Sequence, residues 1–194
     1  KHLEFGAATS WKQITLRALA YRNILAQKII FIPTMGQQRR ATNLDHLRID
    51  GQEIHLNWPL GHAALEQSLA CTTAFNESTH KRTLLPGVPE WLHTTELSYG
   101  VRTWAVKWLS QYRSQITRTM SQDTYFNPQW LHDATLDYRN KDSAHSFGVR
   151  VSNVFNKLSA EVRTTETTAQ IGATSYSDAS GLPIAGRSFR IWWE

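Results

Sequence analysis

Three histidines and one glutamate between positions 46 and 62 are the residues whose types and spacing could support catalysis or metal binding. A hairpin turning at Asp50-Gly51, a favoured two-residue turn, would place His46 directly across from His55. Two imidazoles so paired can share a zinc ion or act as general acid and base. The candidate catalytic residues of a hydrolase are therefore His46, His55 and Glu53, and the candidate metal ligands are His46, His55 and His62. No further ligand stands at recognised spacing, so a structural role is favoured and no cofactor is expected.

The hairpin itself, predicted over about residues 45–57, sorts its side chains by face. Pairing across the turn sets Leu47 opposite Ile54 on an apolar side, and Arg48 opposite Glu53 as a charge pair on the other. This consistency between turn and faces supports the hairpin.

Apolar residues recur at helical spacing through much of the chain before residue 140. The longest such stretch runs from Tyr99 to Met120 and predicts a helix of roughly 22 residues. Its apolar side comprises Val101, Trp104, Ala105, Trp108, Tyr112, Ile116 and Met120. Further helices are predicted over about 9–29, 59–74, 90–97 and 127–138.

The period of the apolar residues changes to two after His145. Alternation at Phe147, Val149 and Val151 predicts a strand, and similar patterns recur at 158–162, 169–173 and 189–193. We therefore expect an α+β fold in a single domain over 1–194. Helices and the separate short β-hairpin would occupy about 9–140, packed on a C-terminal antiparallel sheet over about 145–194.

The composition is basic and rich in tryptophan: 21 Lys and Arg stand against 16 Asp and Glu, with eight Trp. Cations interleaved with aromatic residues are typical of contact with a nucleic-acid backbone, because guanidinium groups meet phosphates and bases stack on indoles. We expect a non-catalytic binding or assembly protein that contacts nucleic acid within a larger complex. The candidate contacts are Arg39, Arg40, Lys81, Arg82, Arg102, Lys107, Arg113 and Arg118.

Aromatic residues near both ends of the chain indicate a second function, that of a structural subunit in a filament or virion with other protein subunits as partners. The interface would include Trp11, Tyr21, Trp192 and Trp193. Within residues 9–62, the segment NLDHLRIDGQEIHLNWPLG resembles the soluble part of type IV pilin-like subunits, which implies a long helix followed by a hairpin and a sheet. The hydrophobic half-helix of that family is missing, and its disulfide is impossible with Cys71 alone.

Known reaction motifs are absent from the sequence, including GxGxxG, GxxxxGK[ST], HExxH, GxSxG and CxxC, so a non-enzymatic role is favoured. No run of 18 apolar residues occurs, and we expect no transmembrane segment. A soluble protein is expected, with the cytoplasm favoured as its location.

Overall fold

The computed structural model describes residues 1–33, 39–77, 81–83, 85, 87–117, 124–139, 145–157, 162–164 and 186–193, and these ranges contain strands and turns but no helix. The strands are β1 (His2–Trp11), β2 (Ile14–Pro33), β3 (Arg39–Leu60), β4 (Ala63–Asn76), β5 (Lys81–Thr83), β6 (Trp91–Val101), β7 (Trp104–Arg113), β8 (Ile116–Thr117), β9 (Thr124–Phe126), β10 (Gln129–Arg139), β11 (Ser146–Ser152), β12 (Val162–Thr164) and β13 (Ser188–Trp193).

Ten strands form one antiparallel sheet in the order β1-β2-β3-β4-β6-β7-β10-β11-β13, with β5 added beside β4. A second, three-stranded sheet has the order β12-β9-β8. Within the described ranges, no helix is long and apolar enough to cross a membrane.

Three two-residue turns join neighbouring strands at one end of the strands of the large sheet: Lys12-Gln13, Gly61-His62 and Arg102-Thr103. The first residue of each has positive φ, at 54°, 70° and 56° respectively. Positive φ costs glycine little, but Lys12 and Arg102 adopt it as well, as hairpin turns that follow the twist of the strands require. The connections at the opposite end of the strands are longer. We call the end with the three turns the short-turn edge, and the opposite end the long-loop end.

The expected α+β fold is wrong, because β6, β7 and β8 occupy most of the stretch expected to be the central helix, residues 99–120. The reason lies in the spacing of its large residues. Trp104, Trp108 and Tyr112 are four apart, which places them on one side of a helix, yet four is also a multiple of two, which places them on one face of a strand. Residues 118–120 lie outside the described ranges.

The separate hairpin over 45–57 is also wrong, because Asp50 and Gly51 lie in the interior of β3. Asp50 pairs with Arg22 on one side and with Thr73 on the other. The sequence signal was misleading because this glycine serves a close packing contact: the ring of Tyr21 lies where a β-carbon at position 51 would be.

The strands expected at 147–151 and 189–193 exist as β11 and β13, but they do not form a separate C-terminal sheet. β11 pairs with β10 as well as with β13, so one sheet includes strands from both sides of the expected boundary at residue 140. Of the strand expected at 158–162, only Val162 is described, as the first residue of β12, and 169–173 lies outside the described ranges.

The described part of the chain has only a small buried core. Leu47 and Ala74 are 2% and 5% exposed and pack with Leu25, Ile49 and Leu85 near the long-loop end of β2, β3 and β4. Over most of the large sheet, by contrast, large apolar side chains remain exposed.

Candidate functional site

The large sheet has one apolar and one polar face, and the register of its strands separates them. Residues directly opposite in antiparallel strands share a face, and successive residues alternate. Leu97, Trp108 and Ala134 therefore belong to one cross-strand row on the apolar face. The neighbouring row, from Ser98 through Lys107 to Thr135, belongs to the polar face.

The apolar face is exposed at its centre. Leu97 and Val106 are each 47% exposed, and Ile191 is 68% exposed. Among the described strands, no Asp, Glu, Lys or Arg occupies this face between its two aromatic boundaries. A contiguous exposed apolar surface of this extent indicates contact with an apolar partner or with lipid.

Aromatic side chains border the apolar face at both ends of the strands. The turn-side row consists of Trp11, Trp58, Tyr99, Trp104, Tyr138 and Trp193, and the far-side row consists of Phe5, Trp91, Tyr112 and Trp130. Ring centroids are 4.8 Å apart for Trp104 and Tyr138, and 4.9 Å apart for Tyr112 and Trp130. Tyr112 is eight positions after Trp104, so the rows lie roughly 26 Å apart along the strand.

A turn after β11 adds a ring to the far-side boundary. Phe155 contacts Trp108 and His132, with ring centroids 6.2 Å and 5.0 Å away. The turn is fixed by Asp133, whose carboxylate accepts a hydrogen bond from the Asn153 amide over 2.9 Å. The Arg150 guanidinium donates to the same carboxylate over 2.6 Å.

The polar face carries charges where the apolar face carries none. Lys107, Arg150 and Arg190 lie in one cross-strand row. They line a shallow cavity of about 420 Å³ together with Glu96, Asp133, Asp137 and Trp192. Its charges are mixed, because the row of three cations is flanked by carboxylates on both sides.

Two carboxylates of the polar face stand directly opposite each other. Glu66 on β4 pairs with Glu96 on β6 in the register. The Asn57 side-chain amide donates to Glu66 over 3.1 Å. Like charges at such a position destabilise a sheet unless the surroundings favour them.

Beyond the far-side row, arginines and carboxylates neutralise each other. Arg22 forms a bidentate pair with Asp50, at 2.7 Å and 3.1 Å. Arg48 lies 3.3 Å from Asp50 and 3.0 Å from Glu77. The hydrogen bond donated to Asp50, followed by the charge of Asp50, raises the pKa of the Arg22 guanidinium further above its ordinary value.

The structure separates the histidines expected to form a catalytic or metal site. His46 and His55 lie nine residues apart in β3, roughly 30 Å along the strand. His55 is opposite Arg17 and Ser68, while Glu53 is opposite Leu19 and Ala70. His62 lies in a turn at the short-turn edge, and no group of three potential metal ligands occurs in the described part of the chain.

The eight residues expected to contact nucleic acid are distributed along the sheet instead of converging on one surface. Arg39 and Arg40 begin β3, Lys81 and Arg82 lie in β5, Arg102 is in a turn, and Lys107 and Arg113 belong to the polar face of β7. Arg118 lies outside the described residues. Arg102 precedes β7, and Arg113 is at the far end of that strand.

The four aromatic residues expected at a partner interface divide between the two faces. Trp11 and Trp193 belong to the turn-side row and are 67% and 77% exposed. Tyr21 and Trp192 lie on the polar face, where they cover Gly51 and Gly148.

Sequence reasoning overlooked the central apolar face, including Leu97, Val106 and Leu136. A signal for it was present in β10, where Trp130, His132, Ala134, Leu136 and Tyr138 alternate with mostly polar residues. A strict test for period two would have found this strand.

The chain matches no protein-family model and no curated protein sequence, but it resembles solved structures. It aligns with the copper transporter OprC at 22% identity and a TM-score of 0.71. It aligns with the ferric enterobactin receptor PfeA of Pseudomonas aeruginosa at 16% and 0.68, and with the FrpB iron transporter of Neisseria meningitidis at 14% and 0.67. Each alignment covers 99% of this chain and 30% of the other, so the chain spans about a third of their length.

These similarities concern the fold, and they overturn two expectations. The neighbours are named as transporters and a receptor, so the expected nucleic-acid-binding assembly protein and the favoured cytoplasmic location are wrong. The pilin-like resemblance implied a long helix, but β2 is a strand, and the two histidines of the hydrolase alternative do not face each other across a hairpin.

Proposed function

We propose that this chain forms part of the wall of an outer-membrane β-barrel receptor, with its apolar face against lipid and its polar face toward the barrel interior. The observation that carries the proposal is the charge-free face between two aromatic rows, opposite a face with many charges. Transmembrane barrels have an apolar outer band about 25 Å tall, bordered by aromatic girdles, around a polar interior.

The slope of the aromatic rows supports strands that are tilted in a membrane. Trp58 shares a cross-strand row with Leu65, Leu97 and Trp108, whereas the turn-side aromatic residue of β7 is Trp104, four residues closer to the turn. The far-side row shifts in the same direction, since Tyr112 is opposite His93, two residues closer to the turn than Trp91. In a membrane barrel whose strands tilt by about 35–45°, the aromatic rows are expected to run obliquely to the cross-strand rows of paired residues.

The difference between the two ends of the strands supports one orientation. Such barrels have short turns on the periplasmic side and longer loops on the extracellular side. The short-turn edge with Lys12, Gly61 and Arg102 would then face the periplasm. The long extensions of β2 and β3, with the small core around Leu47, would project outward from the cell.

We further propose that the complete protein is a TonB-dependent uptake receptor for a metal ion or a metal chelate. This step is supported by the fold neighbours, which include a copper transporter, a ferric enterobactin receptor and an iron transporter. The mixed charges of the polar face suit the wall of an aqueous or protein-filled interior, because charges there remain solvated or paired.

Spin labels on two adjacent residues of β7 test the membrane placement. Val106 and Lys107 lie on opposite faces. Each would be replaced by cysteine in a Cys71→Ser background, labelled with a nitroxide and reconstituted in phosphatidylcholine vesicles. We expect the label at 106 to collide mainly with oxygen, which concentrates in lipid, and the label at 107 to collide relatively more with a water-soluble nickel chelate. Equal behaviour of the two labels, or water exposure at 106, would reject the proposal.

A further inference from the structure

The short-turn edge carries exposed cations that no described carboxylate neutralises. Lys12 and Arg102 are turn residues, and both are exposed. None of the six residues in the three turns is acidic, and neither of the two cations forms an ion pair within the described ranges.

The opposite boundary of the apolar face differs in this respect. There Arg22 and Arg48 are held by Asp50 and Glu77, so two positive charges meet two negative ones. At the short-turn edge the positive charge remains for an external partner. The asymmetry indicates that the partner is an anion and that it lies at one end of the strands only.

Aromatic contacts place these cations at a defined depth. The Lys12 ammonium lies 4.9 Å from the centre of the Trp11 ring. Arg102 lies two residues before Trp104, whose ring contacts that of Tyr138 with the centroids 4.8 Å apart. Tryptophan and tyrosine settle at the boundary between acyl chains and headgroups, and cations just outside them reach the level of the lipid phosphates.

We propose that the short-turn edge binds the headgroups of anionic phospholipids in the adjoining leaflet. The inference rests on the proposed function, since it requires the apolar face to be embedded in a bilayer. Lys12 and Arg102 would meet phosphate oxygens, while the turn-side row packs on glycerol and acyl groups. Each cation near an anionic surface is expected to strengthen binding by about fivefold, and salt weakens the effect.

Spin-labelled lipids test this inference on the complete protein in phosphatidylcholine vesicles. The measurement is the association of labelled phosphatidylglycerol relative to labelled phosphatidylcholine, at low and high salt. The variants are Arg102→Gln and the double change Lys12→Gln and Arg102→Gln. Arg17→Gln is the matched control, because it removes an exposed cation from the polar face.

The wild-type protein should prefer phosphatidylglycerol, and this preference should fall with salt. We expect a loss of about fivefold at most for Arg102→Gln and a nearly complete loss for the double variant, with Arg17→Gln unchanged. An unchanged preference in the double variant, or an equal loss in Arg17→Gln, would refute the lipid site while the protein remains inserted. Failure of the wild-type protein to enter neutral vesicles would overturn the proposed function, and this inference with it.

Discussion

The indole ring of Trp192 occupies the space that a β-carbon at Gly148 would fill. Tyr21 and Gly51 have the same relationship in the neighbourhood of β2 and β3. In both cases an aromatic ring on the polar face covers a glycine of the strand beside it. The absence of a side chain lets the ring pack against the backbone and shields that part of the ladder.

Replacing Gly148 with alanine should therefore destabilise the sheet. The added methyl group must displace the Trp192 ring, and overpacking of this kind costs about 1–3 kcal/mol. Gly100→Ala is the matched control, because the nearest atom to its new β-carbon, the Trp104 carbonyl oxygen, is 3.8 Å away. Urea unfolding in lipid vesicles measures both variants. Equal midpoints would contradict the packing argument, and Trp192→Val should reduce the penalty of Gly148→Ala.

A positive charge at the centre of the apolar face should be costly if that face meets lipid. Leu97→Arg is expected to lower the free energy of unfolding in vesicles by about 2–4 kcal/mol. Glu96→Arg, one residue away on the polar face, should cost little, because the new cation would stand opposite Glu66. Equal destabilisation by Leu97→Arg and Glu96→Arg would argue against a lipid-facing apolar surface.

Neutralising one member of the opposed Glu66 and Glu96 pair should stabilise the sheet. Glu96→Gln removes a like-charge contact and is expected to raise the free energy of unfolding by about 0.2–1 kcal/mol. The gain should shrink with added salt, which screens the repulsion. Glu53→Gln serves as the control, since its cross-strand partners are Leu19 and Ala70. A loss of stability in Glu96→Gln would show that a bound cation or another partner needs the second carboxylate.

Removing the Asp133 carboxylate should release the turn that follows β11. Asp133→Ala leaves the Asn153 amide and the Arg150 guanidinium without this acceptor, at a cost of about 1–3 kcal/mol. Amide exchange at Asn153 should accelerate, because its carboxylate acceptor is lost. Asp137→Ala is the control, as the Asp137 side chain forms no hydrogen bond or ion pair within the described residues. Unchanged exchange at Asn153 would mean that the Val154 amide, which donates to the His132 carbonyl, holds the turn by itself.

The sequence could be read correctly where the alternation of side chains was strict. Phe147, Val149 and Val151 were expected in a strand and lie in β11. In the stretch from Trp104 to Tyr112 the large residues are four apart, a spacing that helices and strands share, so periodicity there could not separate the two. Asp50-Gly51 favoured a turn on local chemistry, but pairing with strands on both sides keeps it extended.

The candidate site could not be predicted for a related reason. A strand that is apolar on one face only contains no long apolar run, so a search for a spanning helix does not detect it. The aromatic rows combine single residues from β1, β3, β6, β7, β10 and β13, which are far apart in the chain. Their alignment depends on register, and a slip of one residue would move each ring to the other face.

The sequence by itself determined the alternation within individual strands, the excess of positive charge and the abundance of tryptophan, because these are local or additive properties. Only the tertiary structure decided which residues share a face. His46 and His55 became distant once β3 proved to be one extended strand. Trp104 and Tyr138 came together once β7 paired with β10, since hydrogen bonds between distant segments fix the register of a sheet.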